Sequence, residues 1–276
     1  MLRITRGLTL TARLATTMML AASATGAPAQ EAGELRVFAA GSLRDALTEV
    51  AQAFERGAPG VHVRFTFGPS GLLKDRIAGG ERADVFASAN MTHPQALTAA
   101  GRAGAVRRFA RNEMCALVAP ALDVTPATLV DRLLDPAVRL GTSTPKADPS
   151  GDYAWMVFER IEQHGRRGAF KQLADKAQQL TGGPHSPPPA PGRSVYGDLV
   201  AQGRVDLFLT YCTNATAARK QHPDLRSVTV PAAVNVSADY GVVALQGAAA
   251  PAPRFVDFLL GPDGQAILAR HGFAAG

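Results

Sequence analysis

The chain has 276 residues, of which 46% are hydrophobic and 19% charged, so it has enough apolar material for one large or two small cores. Its formal net charge is +6, and this falls to +3 without residues 1–29, which contain three Arg and no acidic residue. Basic residues form only short runs, such as Arg107-Arg108 and Arg166-Arg167, and this pattern argues against a nucleic-acid partner.

The N-terminal segment has the pattern of an export signal. Three arginines accompany an apolar stretch at residues 14–24, and Ala27-Pro28-Ala29 fits the small-residue cleavage pattern. The apolar stretch is shorter than the roughly 20 residues that a membrane span needs. We therefore expect export to the periplasm and removal of residues 1–29.

The chain has two cysteines, Cys115 and Cys212. They cannot form a zinc site by themselves, and no His stands at metal-binding spacing beside them. An oxidising compartment favours a disulfide between them. Two separate buried thiols fit equally well, because sequence does not show whether the Cα atoms come within bridging distance.

Short apolar strands alternate with amphipathic helices along the whole chain after residue 30. This alternation predicts an α/β fold with parallel sheets and helices on both faces. The predicted strands are 35–40, 62–67, 83–88, 114–118, 140–142, 205–210, 228–230 and 240–245. The predicted helices are 43–56, 70–78, 151–164, 169–180, 194–202, 253–260 and 262–271.

One segment interrupts this alternation. Residues 182–192 contain five prolines and three glycines in eleven positions, which excludes a regular helix or a central strand. We expect an exposed loop. It forms either a lid or rim of a binding site, or an insertion without a function of its own.

Four serines stand where a strand or loop leads into a predicted helix: Ser42, Ser70, Ser150 and Ser194. Serine is a preferred N-cap, and the first turn of a helix has unpaired N–H groups that attract anions. In a doubly wound sheet such helix starts gather at the carboxyl ends of the strands, where ligands bind. The pattern predicts an anion site built from neutral donors.

Several motifs resemble one known family. They are Ala39-Ala40-Gly41-Ser42-Leu43-Arg44-Asp45-Ala46-Leu47, Phe67-Gly68-Pro69-Ser70-Gly71, Ala83-Asp84-Val85-Phe86-Ala87-Ser88-Ala89 and Phe255-Val256-Asp257-Phe258-Leu259-Leu260. With them the chain resembles the periplasmic molybdate-binding proteins of ABC transporters, which belong to the type II solute-binding proteins. The resemblance covers almost all of the chain after residue 30.

This resemblance implies two doubly wound α/β lobes joined by a two-strand hinge, which is the type II periplasmic-binding-protein fold. Lobe one would contain residues 30–112 and 236–276, and lobe two residues 113–235. The chain would cross between the lobes near 111–114 and again near 233–239. The implied protein is a monomer whose partners are a small oxyanion and an inner-membrane ABC permease, with no nucleic acid.

The resemblance also implies the ligand contacts. Ser42 and Ser70 would come from lobe one, and Ser150, Val195 through its N–H, and Tyr211 through its hydroxyl would come from lobe two. The implied ligand is molybdate or tungstate, with sulfate, phosphate or a small organic anion as alternatives. Asp152 fits either a ligand or a favourable acid in the first turn of a helix.

Sequence signatures of catalysis do not occur. The chain has no G-x-S-x-G elbow and no H-E-x-x-H spacing, and most of its six His stand in predicted loops or on helix surfaces. We expect no enzymatic activity and no cofactor. Molybdenum would be present only within a bound oxyanion, and no free metal cation is expected.

Overall fold

The computed structural model describes residues 1–2, 33–187, 190 and 192–276. The predicted signal sequence lies almost wholly outside these residues. The strands are β1 Gly33–Ala40, β2 Val61–Gly68, β3 Val85–Ser88, β4 Arg107–Val118, β5 Leu140–Ser143, β6 Gln178–Thr181, β7 Leu207–Tyr211, β8 Arg226–Thr229, β9 Ser237–Ala244 and β10 Ala274–Ala275.

The helices surround these strands. They are α1 Arg44–Gly57, α2 Ser70–Ala78, α3 Thr92–Ala99, α4 Leu129–Leu134, α5 Pro149–Gln163, α6 Ala169–Lys176, α7 Val195–Ala201, α8 Cys212–Gln221, α9 Pro251–Leu260 and α10 Pro262–Arg270. A single 3-10 turn, Gly41–Leu43, precedes α1. In the described part of the chain, no helix is long and apolar enough to cross a membrane.

Two groups of parallel strands lie on either side of the long strands β9 and β4. The strand order is β2-β1-β3-β9-β4-β7-β5-β6, with β8 and β10 also paired to β4. β1 runs parallel to β2 and β3, and β5 runs parallel to β6 and β7. We call the β1–β3 group with its helices lobe one and the β5–β7 group with its helices lobe two.

The strands β4 and β9 connect the two lobes. β4 pairs with β9 over Arg107–Glu113 and with β7 over Met114–Val118, antiparallel in both cases. The predicted α/β fold with two lobes is confirmed. The residue limits that the sequence predicts for the lobes stay a prediction.

The core follows from strands that are covered on both faces. All four residues of β3 are buried, as expected for a central strand with helices above and below. On α1 the buried residues recur at helical spacing and include Leu47, Val50 and Phe54. The Phe54 ring packs edge-on against Phe255 of α9, with 5.3 Å between ring centroids. This contact joins the first and last parts of the chain in lobe one.

The predicted helix at 169–180 is wrong over its last four residues. α6 ends at Lys176, and Gln178–Thr181 forms β6 beside β5. Four residues with two glutamines carry a weak strand signal, so tertiary pairing decides their conformation. Gly182 then ends the strand with a φ of 73°.

Some elements carried no clear sequence signal. These are α3, α4, α8, β10 and the first half of β4. In β4, Arg107, Arg108 and Arg111 are exposed while Phe109 and Ala110 are buried, so a strand lies inside what the sequence presents as a basic surface run. In α8 the buried residues are small or polar, and the helix has no broad apolar stripe.

The two cysteines form a disulfide. Cys115 of β4 and Cys212, the first residue of α8, have their Sγ atoms 2.10 Å apart and their Cα atoms 4.8 Å apart. Of the two alternatives that the sequence allows, the structure therefore has the bridge. It ties β4 to the residue that follows Tyr211.

Candidate functional site

A cavity of about 300 Å³ lies between the two lobes. Its lining includes the ends of four strands or the residue just after them: Ala40 of β1, Gly68 of β2, Ala89 after β3 and Tyr211 of β7. In α/β sheets, the carboxyl ends of the strands are the edge at which ligands bind. The fold thus places the cavity where a ligand site is expected.

Two serines stand on the lobe-one side of the cavity. The Ser42 Oγ lies 3.0 Å from the Tyr240 hydroxyl oxygen. Ser70 is buried, and its Oγ accepts a hydrogen bond from the Ala89 N–H at 3.1 Å. Because its oxygen is the acceptor in that bond, the Ser70 O–H remains available to donate to a ligand. Both residues line the cavity.

The two lobes touch beside these serines. The Gly71 N–H of α2 donates to the Ala147 carbonyl of lobe two at 2.9 Å. A Cβ atom on Gly71 would lie 2.4 Å from the Lys146 carbonyl oxygen, which no side chain tolerates without a backbone shift. Across the cavity, the Tyr211 hydroxyl lies 3.5 Å from the Ala89 carbonyl. Glycine at 71 permits this closed arrangement.

Two tyrosines and Val195 stand on the lobe-two side. Burial raises the pKa of Tyr211 well above its ordinary value, so its hydroxyl is a neutral donor at physiological pH. Burial also raises the pKa of Tyr196, which packs edge-on against Phe208 with 5.2 Å between ring centroids. Val195 is the first residue of α7, and Tyr211, Tyr196 and Val195 all line the cavity.

The predicted ligand contact of Ser150 stays a prediction. Ser150 is buried in the first turn of α5 and is not part of the cavity lining, although its Oγ has no partner among the described residues. The residue that lines the cavity here is Asp148. Asp148 is the N-cap of α5, and its Oδ1 accepts a hydrogen bond from the Ser150 N–H at 3.0 Å.

The predicted serine caps are wrong at α1 and α2, as at α5, where Asp148 is the N-cap. The N-cap of α1 is Leu43 and that of α2 is Pro69, and neither makes a side-chain capping bond. Ser194 alone among the four serines caps a helix, because its Oγ accepts from the Gly197 N–H at 3.3 Å. Ser42 and Ser70 therefore keep their hydroxyls for contacts other than capping.

Asp148 has an unusual setting for a carboxyl group. Burial raises its pKa to about 6, Asp152 adds to this increase, and the Ser150 N–H and the Ser143 hydroxyl oppose it. Its Oδ2 lies against Gly182, where a Cβ atom would come within 2.4 Å. None of the described groups that shift this pKa is basic.

Asp152 is not part of the cavity lining. Its Oδ1 accepts a hydrogen bond from the Lys146 N–H at 2.7 Å. Lys146 has a φ of 68°, a left-handed conformation that is uncommon for a non-glycine residue. Asp152 thus stabilises the turn that leads to Asp148. This hydrogen bond accounts for an acid at position 152 without a ligand contact.

The proline-rich segment contributes a wall of the cavity. Gly182, Gly183, Pro184, Ser186 and Pro187 line it. Of the two alternatives that the sequence left open for this segment, its position favours a rim of the cavity over an insertion without a function of its own.

An apolar surface and a single base complete the lining. Phe67 and Leu72 belong to it, and Arg44 is the one basic side chain among the described residues that line the cavity. The Arg44 guanidinium carbon lies 4.6 Å from the centroid of the Phe67 ring. Sequence reasoning missed Asp148, Tyr196 and this apolar wall. The only local signal was Asp148-Pro149, a frequent helix start.

The described residues contain no group of three or more His, Cys, Asp or Glu side chains that could hold a metal ion. Apart from Arg44, the polar side chains that line the cavity in the described part of the chain carry hydroxyls and one carboxyl. Such an arrangement can hold an oxygen-rich anion by hydrogen bonds from neutral donors.

The chain is similar to known proteins over most of its length. The sequence model of the bacterial extracellular solute-binding proteins matches residues 35–274. An uncharacterized protein of Pasteurella multocida is 39% identical over 230 residues, which are 82% of this chain and 92% of that protein. The molybdate-binding protein ModA of Mycobacterium bovis is 28% identical over 265 residues, which are 92% of this chain and 89% of that protein.

A solved structure supports the fold. The sulfate-binding protein SubI of Mycobacterium tuberculosis superimposes with a TM-score of 0.74 at 17% identity, over 88% of this chain and 86% of that one. The type II fold that the sequence motifs imply is therefore confirmed.

Proposed function

Because the chain belongs to the family of bacterial extracellular solute-binding proteins, we propose that it captures a tetrahedral oxyanion between its lobes and delivers it to an inner-membrane ABC permease. The observation that carries this proposal is the interlobe cavity, in which Ser42, Ser70 and Tyr211 offer neutral hydroxyl donors. Hydrogen bonds to a charged group contribute about 1.5–3 kcal/mol each. A few of them support micromolar or tighter binding after the costs of association.

Molybdate, or tungstate of nearly the same size, is our first candidate ligand. Its support is the similarity to ModA over 92% of the chain, together with the family motifs around Ser42 and Ser70. Sulfate and phosphate share the tetrahedral shape, so the hydroxyl donors do not by themselves separate them from molybdate.

A small organic anion is the second candidate, because the cavity is larger than an oxyanion needs. If each oxygen takes a water-sized share of about 30 Å³, a tetrahedral oxyanion has a volume on the order of 100 Å³. The cavity has about 300 Å³, and Phe67, Leu72, Pro184 and Pro187 give it an apolar wall. This surface suits an anion with an attached organic group.

The family consists of solute-binding proteins, and we propose no catalytic step for this chain. We further propose that residues 1–29 direct export to the periplasm and are removed. The mass of the protein recovered from the periplasm checks this. Cleavage after Ala29 predicts Gln30 as the first residue, and recovery of the full-length chain in the cytoplasm contradicts it.

Titration calorimetry with molybdate, tungstate, sulfate and phosphate tests the proposed function. At least one of these anions should bind at a single site and raise the melting temperature. A ligand at a hundred times its Kd adds about 2.7 kcal/mol to the free energy of unfolding.

Two variants test whether the anion binds in the cavity between the lobes. Ser70→Ala should weaken it by about 1.5–3 kcal/mol, because the buried hydroxyl no longer donates to the anion. Thr229→Ala removes an exposed hydroxyl of β8 outside the cavity and should bind like the wild type. If none of the four anions binds or stabilises the protein, the oxyanion proposal is wrong.

A further inference from the structure

A carboxyl group in the wall of an anion cavity needs a physical explanation. Asp148 lines the same cavity as Ser70 and Tyr211. An ionised carboxylate repels a bound dianion, and the repulsion is strong where both are withdrawn from water. A site that holds a dianion next to Asp148 must neutralise one of these charges.

No base among the described residues pairs with Asp148 to provide this neutralisation. The groups that face Asp148 are the Ser150 N–H and Asp152 of α5, Ser143 of β5, Gly182 after β6, and the side chains of Tyr196, Tyr211 and Tyr240. None of these is cationic. Lys146, two positions before Asp148, interacts with Asp152 instead, and Arg44 stands over Phe67 on lobe one.

The two carboxylate oxygens of Asp148 have different roles. Oδ1 accepts the capping hydrogen bond from the Ser150 N–H. Oδ2 lies against Gly182, which itself lines the cavity with a φ of 73°. A proton on Oδ2 leaves the helix cap intact and turns the carboxyl from a repelling charge into a hydrogen-bond donor.

We propose that Asp148 and the bound anion share one proton, so that Asp148 determines which anions the site prefers at a given pH. This inference rests on the proposed oxyanion function. A fully ionised anion such as molybdate or sulfate binds together with one proton from solvent, which forms the O–H bond on Asp148. Hydrogen phosphate or a protonated phosphate monoester brings its own proton and donates it to the ionised carboxylate, and no proton leaves the solvent.

The electrostatics agree with this geometry. Burial raises the pKa of Asp148 to about 6. A dianion next to it raises the pKa further, because protonation relieves the repulsion. Above the pKa of the unligated protein, each pH unit should therefore weaken binding of a fully ionised anion about tenfold.

The experiment measures molybdate binding between pH 6.5 and 8.5 by calorimetry, in pairs of buffers with different ionisation enthalpies. For the wild type we expect uptake of about one proton per molybdate at pH 8 and a Kd that rises about tenfold per pH unit. Inorganic phosphate at pH 8, where it carries one proton, should bind without proton uptake.

The Asp148→Asn variant should bind molybdate with no proton uptake and with a Kd that does not change with pH. Asn caps helices as well as Asp does, and its amide donates where the protonated oxygen would. At pH 8, two units above a pKa of about 6, it should bind molybdate up to about 100-fold more tightly than the wild type. Asp263→Asn changes an exposed acid outside the cavity lining; it is the control and should keep the pH dependence of the wild type.

The remaining outcomes distinguish failure of this inference from failure of the proposed oxyanion function. If wild-type binding of molybdate is independent of pH and takes up no proton, Asp148 only caps α5, and the inference fails while the oxyanion function stands. A folded Asp148→Asn protein that no longer binds also contradicts the inference. If no anion binds to any of the three proteins at any pH, the proposed function itself fails.

Discussion

The two walls of the cleft use different chemistry. The lobe-one wall offers Ser42 and Ser70, whose hydroxyls do not titrate in the physiological range. The lobe-two wall contains Asp148, Tyr196 and Tyr211, three titratable groups whose pKa values are all raised by burial. The comparison suggests that lobe one supplies constant donors for an anion, whereas lobe two makes the affinity depend on pH and on the kind of anion.

The lobes also differ in covalent support. The disulfide joins Cys115 to Cys212, directly after Tyr211, so it reinforces the lobe-two wall. Lobe one has no disulfide, because the chain contains only these two cysteines. The wall that contains the titratable groups is therefore the wall that is held by a covalent bond.

Loss of the disulfide should have the largest effect. Replacing both cysteines by Ala should lower the free energy of unfolding by about 3–5 kcal/mol, because the bridge closes a loop with a sequence separation of 97. Urea unfolding of the variant, and of the wild type under a reducing agent, measures this. If both unfold like the oxidised wild type, the bridge does not support lobe two.

The sequence predicted the lobe-one wall better than the lobe-two wall. The predicted bounds of α2, 70–78, agree with the structure, and β1 and β3 are apolar strands with a strong local signal. The lobe-two wall depends on how the turn at Asp148 packs against Gly182. That contact joins residues 34 positions apart, and no local pattern contains it.

Two other features could not be predicted from the sequence because they depend on the tertiary structure. Asp148-Pro149 is a helix-start signal in the sequence, yet the family motif drew attention to Ser150, which is buried and is not part of the cavity lining. The disulfide required Cα atoms 4.8 Å apart, a distance that spacing along the chain cannot supply.

Tyr211→Phe tests the lobe-two donor. Anion binding should weaken by about 1.5–3 kcal/mol, because the neutral hydroxyl no longer donates to a charged ligand. The melting temperature of the unligated protein should change little, since the ring stays packed against Tyr240 and the one hydrogen bond that its hydroxyl makes to the described residues is long, at 3.5 Å. Calorimetry and thermal unfolding separate the two effects. Loss of stability without loss of affinity would make Tyr211 a structural residue.

Asp148→Asn should stabilise the unligated protein at neutral pH. The pKa of Asp148 rises from 3.8 to about 6 on folding, so the carboxyl favours the folded state below pH about 4, and this contribution is lost as the pH rises through about 6. For a fully buried carboxyl, this pKa shift lowers the free energy of unfolding of the wild type at neutral pH by about 3 kcal/mol. Partial exposure of the carboxyl reduces that loss to about 1.5 kcal/mol.

Urea unfolding of wild type and variant at pH 4 and pH 8 measures this change. The variant should gain stability relative to the wild type between these two pH values. The exposed acid Asp263 provides a control, and Asp263→Asn should show no comparable gain. An equal difference at both pH values would contradict the raised pKa.

Gly71→Ala tests the contact between the two walls and should have the smallest effect. A Cβ at this position would overlap the Lys146 carbonyl oxygen, so the lobes must separate slightly or shift. We expect about tenfold weaker anion affinity, about 1.4 kcal/mol, and a larger radius of gyration with ligand present. Gly79→Ala, at the end of the same helix, is the control. Unchanged affinity and unchanged scattering would show that this contact is not needed for closure.

Anomalous scattering from crystals grown with tungstate tests the central claim most directly. The tungsten position can be found without reference to the protein coordinates. We predict one strong site in the cavity between Ser70 and Tyr211, with its oxygens within hydrogen-bond distance of both hydroxyls and of Asp148. Crystals in which tungsten binds only on the outer surface, with the cavity between the lobes empty, would contradict the account.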